Sequence, residues 1–277
     1  MNQSPLNLFV TGASSGIGRA VARKFLDEGY AVWGTARDLT RLAPLLGDPH
    51  FHPILLDLDD AEAATQAYAM AQAEAPGGFD VVVNNAGYGV FARFDVTPFD
   101  VWSKQLNAML LTTLQLAQRQ LLDLRTKGRG VMVNVASLAT EFPLPYMSGY
   151  NVAKAGLSAL SESLLIETVG TGVSVIDFRP GDFRTDFNTT MLQLSPSTQP
   201  GANDSRMQGA WEVWDQNIAT APAVEMAAAD LFQAVRSGAC GVVRSGSFFQ
   251  TRIAPMFERL VPLRWARAVR WHYFGLK

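Results

Sequence analysis

The sequence predicts an α/β protein: a doubly wound parallel sheet in a single domain spanning residues 1–277, with a helical C-terminal extension over residues 246–277. Two observations carry this expectation. Short, continuously apolar runs at residues 6–10, 81–83 and 131–135 alternate with longer helical patterns, as strands do when helices cover both faces of their sheet. The first run is followed at once by a glycine-rich turn that opens a helix, a unit suited to holding a phosphate at the helix N-terminus. The 277 residues, 48% hydrophobic and 17% charged, suffice for one large domain with a sizeable core.

In chain order, residues 6–10 form the first strand, and the helix after the glycine turn runs to about Glu28. Strands are expected at 31–35 and 53–56, a helix at 61–75, a strand at 81–83 and a long helix over 100–125. A strand at 131–135, a helix continuing to about Val169 and a strand at 173–178 complete the pattern. Right-handed crossovers then give the doubly wound arrangement. Residues 181–220 break it: they are polar and punctuated by Gly and Pro, yet carry Phe183, Phe187, Met191, Leu192, Trp211 and Trp214. A loop of that length is usually functional, and its aromatics need something to cover, so a lid over a pocket is expected.

A formal net charge of −2 offers no reason for a nucleic-acid partner. The single cysteine, Cys240, excludes an internal disulfide framework, suits a reducing cytoplasm and reads as a small core residue. The first five residues lack a basic n-region, so no signal peptide is expected. No 18-residue apolar run marks a membrane span. His50, His52 and His272 show no metal-ligand spacing, and no metal is expected.

The turn after the first strand contains Gly12, Ser14, Ser15, Gly16, Ile17 and Gly18. Gly12 permits a tight turn, and Gly16 and Gly18 allow backbone and pyrophosphate to approach closely. The spacing is GxxxGxG, not the GxGxxG of the general dinucleotide fingerprint. Where a carboxylate would meet the ribose 2′-hydroxyl of NAD, the chain has Arg37, whose guanidinium suits a 2′-phosphate. NADP(H) is therefore favoured over NAD(H), with Ser14 adding a hydroxyl and Asp38 arguing the other way. Asp57 and Leu58 follow the third strand, placed to meet adenine; the competing reading of Asp57 is a helix cap.

Asn84, Asn85, Ala86 and Gly87 follow the fourth strand, at the sheet edge where open α/β folds bind ligands. Ser137 ends the fifth strand, thirteen residues before Tyr150, and Asn107 lies in the helix between the fourth and fifth strands. Tyr150 and Lys154, four residues apart, share one face of a helix. A neighbouring ammonium favours the phenolate, and is expected to bring the Tyr150 pKa from about 10 toward neutrality.

With these motifs in place, and with Arg179-Pro180-Gly181 after the sixth strand, the chain closely resembles the short-chain dehydrogenase/reductase family. The likeness spans residues 6 to about 186 and the family's roughly 250-residue, Rossmann-type branch. It implies that Tyr150 is the general acid of reduction and base of oxidation, and that Lys154 lowers its pKa and holds the nicotinamide ribose. It further implies that Ser137 binds the substrate carbonyl and that Asn107 holds a relay water. Asn84, Ala86, Gly87, Pro180, Gly181, Phe183 and Thr185 would then border the cofactor, Thr185 at the carboxamide. A homodimer or homotetramer is implied in the same way. The segment after Ser137 lacks the glycine commonly found there in the family, which bears on the pocket wall.

Phe91, Phe142, Leu144, Tyr146 and Phe187 are the expected substrate walls, with Phe183 beside them, and suit a hydrophobic ketone, aldehyde or alcohol of lipid, steroid or retinoid type. In the extension, Trp265, Val269 and Trp271 mix with Arg252, Arg264, Arg267 and Arg270. Such a helix packs on protein or lies on an anionic membrane as a peripheral contact, and Pro255 and Pro262 divide it. The resulting expectation is an NADP(H)-dependent carbonyl reductase or alcohol dehydrogenase. Its rivals are a non-catalytic nucleotide sensor and an epimerase or lyase using the same Tyr–Lys pair.

Overall fold

Seven parallel strands form one sheet in the order β3-β2-β1-β4-β5-β6-β7. The computed structural model describes residues 5–185, 187, 191, 205–274 and 276; Leu192 of the expected lid lies outside them. The strands are β1 (Asn7–Val10), β2 (Ala31–Ala36), β3 (Phe51–Leu55), β4 (Val81–Asn84), β5 (Gly130–Val135), β6 (Val173–Pro180) and β7 (Gly241–Ser245). The order reverses between β1 and β4, the switch point of a doubly wound sheet, so their C-terminal ends open a crevice.

Alternate strand residues feed two cores. Leu8, Val10, Val32, Val83, Val133 and Phe178 pack with helices α1 (Gly16–Asp27) and Val224–Arg236. Phe9, Trp33, Val82, Met132 and Val175 face the other way, against α2 (Ala61–Glu74), α4 (Thr112–Lys127) and α5 (Ser148–Glu167). On that second face Phe9 meets Tyr68 at 5.1 Å and Phe79 at 5.3 Å between ring centroids. The helix α3 (Phe99–Leu106) passes into α4 through a wide turn at Asn107–Leu111, in which the Thr112 amide donates to the Asn107 carbonyl.

The second half departs from the sequence expectation at one helix within the expected loop, at a helix and strand after it, and at Cys240. Within residues 181–220, Ser205–Thr220 is a helix, α6, and not loop, with Met207, Ala210 and Trp214 buried. These positions share one helical face, so a 3.6-residue period lay beneath the polar composition. Val224–Arg236, here α7, and strand β7 follow it. Cys240 is exposed and not a core residue, because it sits in the turn entering β7 and not within a packed element. The extension forms α8 (Ala254–Leu260) and α9 (Leu263–Tyr273), divided at Pro262. Among the described residues, no helix is long and apolar enough to cross a membrane.

Phe9 is fully buried at the centre of the sheet. Phe9→Ala should lower unfolding free energy by about 3–5 kcal/mol, measured by urea denaturation; a loss below about 1 kcal/mol would show that this cluster is not packed as described.

Candidate active site

The C-terminal ends of the strands and the turns beyond them line one cavity of about 950 Å³. At one end lie Gly12, Ser14, Ser15, Gly16, Ile17 and Gly18. Ser15 is the N-cap of α1 and makes no side-chain capping bond, so the first N–H groups of the helix face this end. A Cβ on Gly18 would stand 2.2 Å from the Gly12 carbonyl oxygen and 2.4 Å from Asn85 Nδ2; only glycine fits. Thr11 Oγ1 accepts from the amides of Asn85 and Ala86 at 2.9 and 3.0 Å, binding the β1 and β4 turns together.

Arg37, Asp38 and Arg41 line the cavity beyond β2, and Asp57, Leu58 and Asp59 line it beyond β3. Asp38 is also engaged locally, accepting from the Thr40 amide at 2.9 Å and the Thr40 hydroxyl at 2.7 Å. These bonds hold its carboxyl below the usual range. Asp57 does not cap α2, since Asp60 does so through the Ala63 amide at 3.0 Å. Arg41 escaped the sequence reading because the short helix that carries it, at Leu39–Leu42, leaves no motif.

Ser137, Tyr150 and Lys154 meet in the middle of the cavity. Ser137 Oγ accepts from the Ala139 amide at 3.0 Å, which leaves its own proton free to donate. Lys154 is buried, and its Nζ donates to the Val135 carbonyl at 2.6 Å while standing 5.8 Å from the Tyr150 ring centroid. Burial pushes the Tyr150 phenol up to about 12, opposed by the Ser137 hydroxyl and assisted by the charge of Asp182. Burial also brings the Lys154 ammonium down to about 8, against the pull of Asp177. The direction is opposite to the one expected from Lys154 alone: burial is the largest influence on the Tyr150 phenol and raises it.

A charged network behind these residues was not apparent in the sequence. Arg179 donates to Asp177 Oδ2 at 2.8 Å, to Glu141 Oε1 at 2.7 Å and to Ser158 Oγ at 2.7 Å. Glu141 also accepts from Arg244 at 2.9 Å. Glu141 follows Ser137 by four residues and Ser158 stands one helical turn beyond Lys154. One guanidinium thus ties the Ser137 loop, β6 and α5 together. Nothing but spatial proximity links these positions.

Several expected site residues lie elsewhere. Asn84 turns into the interior, donating to Gln120 Oε1 at 2.9 Å and Asn134 Oδ1 at 3.0 Å; Asn85, Ala86 and Gly87 line the cavity in its place. Asn107 does not line it either, although its neighbours Ala108 and Met109 do. Phe91 and Tyr146 pack behind the wall with Met147, Met191 and Met207, where Phe91 meets Trp211 edge-on at 5.1 Å between ring centroids. Phe142, Leu144 and Phe187 do face the cavity, as do Pro180, Gly181, Phe183 and Thr185. Trp214 and Ile218 of α6 and Phe249, Gln250, Ile253 and Val269 of the extension complete its outer end.

A doubly wound sheet with a glycine-bound helix N-terminus at its switch point, opening onto a Ser–Tyr–Lys cluster, defines a dinucleotide-dependent oxidoreductase fold. Comparison with known proteins narrows this. The family model for short chain dehydrogenase matches residues 7–194, and the chain belongs to that oxidoreductase family. It is 32% identical over 220 residues to the serine 3-dehydrogenase of Agrobacterium fabrum, covering 76% of this chain and 84% of that one. It is 27% identical over 201 residues to the 3-ketodihydrosphingosine reductase of Bacteroides thetaiotaomicron, covering 72% of each. The crystal structure of a short-chain dehydrogenase from Streptomyces avermitilis superposes with a TM-score of 0.77 at 25% identity, over 99% of this chain and 98% of that one.

Because Lys154 is held at about 8 when folded against an ordinary 10.5, the unfolded chain carries a proton there that the folded chain lacks between those values. Stability therefore rises with pH across that interval. Lys154→Met should remove the rise, read as the difference between variant and wild type in urea midpoints; parallel pH profiles would contradict the burial of the ammonium.

Proposed function

We propose that the protein is an NADP(H)-dependent reductase that interconverts a hydrophobic ketone or aldehyde with its alcohol. The observation that carries this reading is the continuity of one cavity, from the glycine turn through Ser137, Tyr150 and Lys154 to an apolar outer end. The residues fit a dinucleotide. The turn at Gly12–Gly18 has no room for a Cβ at Gly18, which leaves backbone exposed to a pyrophosphate. Arg37 and Arg41 supply paired cations where a 2′-phosphate would lie. Asp57 and Leu58 would border the adenine, and Ala86, Gly87, Pro180, Gly181, Phe183 and Thr185 the nicotinamide half.

A bound nicotinamide supplies or accepts the hydride. Everything else falls to side chains. Ser137, its oxygen occupied by the Ala139 amide, donates its proton to the substrate oxygen and orients it. Tyr150, protonated because burial raises it to about 12, delivers a proton as negative charge develops on that oxygen. Lys154 gives one N–H to Val135, which leaves two for the ribose and the phenol. Phe142, Leu144, Phe187, Trp214 and Ile253 exclude water around the reacting carbon, with α6 as the lid and the extension as its outer wall. The outer end suits an aliphatic chain, in keeping with the 3-ketodihydrosphingosine reductase among the relatives.

Tyr150→Phe should lower NADPH-dependent ketone reduction by about 100- to 10,000-fold while NADPH still binds, measured by steady-state absorbance and fluorescence titration. Turnover at the wild-type rate would remove Tyr150 from the acid role. Arg37→Ala should weaken NADPH binding by about 10- to 100-fold and NADH binding much less; equal weakening of both would overturn the 2′-phosphate assignment.

A further inference from the structure

Asp182 stands at the catalytic end of the cavity, one residue beyond Gly181, whereas the other lining carboxylates, Asp38, Asp57 and Asp59, follow β2 and β3 at the opposite end. Its neighbour Phe183 is 3% exposed and belongs to the core under the sheet. Asp182 itself lines the cavity. There Gln250 of the extension donates from Nε2 to Asp182 Oδ2 at 2.6 Å. The carboxylate is close enough to the reacting centre for its charge to raise the Tyr150 phenol.

The surroundings of the pair define what it can bind. Gln250 Oε1 is buried and accepts no hydrogen bond among the described residues. It lies 2.6 Å from the point where a Cβ on Gly181 would stand, with Leu138 at 3.0 Å from the same point. Among the described residues, the influences on the Asp182 carboxyl are burial, which pushes it up, and the Gln250 bond, which pulls it down, with no cation among them. The Gln250 amide is thus packed in place by the turn and serves to hold the carboxylate, while Asp182, a largely desolvated acceptor, lines a mostly apolar space and calls for a group that only donates. A hydroxyl brings one proton and no charge. A primary ammonium brings three donors, no acceptor and the compensating charge.

We propose that Asp182, held in place by Gln250, forms a subsite for a primary ammonium group of the substrate, carried close to the carbon whose oxygen meets Tyr150. The substrate class is then an amino ketone or amino alcohol with an aliphatic remainder. The placement of its oxygen rests on the reductase reading above; the ammonium subsite itself does not need turnover to be tested.

The test is calorimetric titration of the full chain, with and without NADP⁺, using n-octylamine and 1-octanol as matched probes. Octylamine should bind about tenfold more tightly than octanol, the range of a charge-assisted hydrogen bond. Asp182→Asn should bring the ratio close to one, and Asp182→Glu should keep a preference for the amine. Equal affinities in the wild type, no binding of octylamine, or an undiminished preference in Asp182→Asn would each overturn the subsite. Oxidation of 1-amino-2-octanol against 2-octanol with NADP⁺ is the second measurement, and a higher kcat/KM for the amino alcohol is expected. An amine preference in binding without turnover of either alcohol would count against the reductase reading and leave the ammonium subsite standing.

Discussion

A buried ammonium is the constraint on which the site depends. Lys154 is 5% exposed, and an ion in that position costs several kcal/mol unless polar partners replace its water. The Val135 carbonyl at 2.6 Å is one replacement, and the charge of the fully buried Asp177 is another. Asp177 is itself held by Arg179 and Ser158. The end of β5, the second half of β6 and the first turns of α5 are therefore fixed relative to one another by a single electrostatic chain. Ser137 and Tyr150 take their places because of it, one just beyond Val135 and one a turn ahead of Lys154.

The same burial explains why the phenol is not the neutral-range group that its neighbour alone suggests. An ammonium close to a tyrosine favours phenolate only when the phenolate is hydrated or otherwise stabilised. In this cavity the phenol loses its water, and one of the three donors of the ammonium is spent on a backbone carbonyl. The result is a phenol raised by its burial beside the Ser137 hydroxyl.

The first two thirds of the fold were legible in the sequence because parallel strands buried on both faces leave continuous apolar runs. The glycine turn was legible for a different reason: Gly18 has no space for a Cβ, so composition there records geometry directly. The last third was harder. Strand β7 lies at the sheet edge and is only half-buried over most of its length, and α6 carries its apolar face within a stretch of Gly, Ser and Asn. Within the site, Asn84 and Asn85 show the limit of motif reading. Adjacent residues leave a strand on opposite faces, and only the register with β5 tells which asparagine meets the cavity. Arg41, Glu141, Arg244 and Gln250 have no sequence signature at all, since their roles come from contacts across the fold.

Gln250 also fills a volume. Its side chain occupies the space that any residue larger than glycine at position 181 would need, and it approaches Gly246 from the other side at 3.2 Å from that residue's Cβ position. The turn after β6 and the start of the extension are thus moulded to each other, like a cast and its plug. Heritable change in one is steric change in the other. A side chain at position 181 would push the end of Gln250 out of this space, and would reach the extension without touching the sheet.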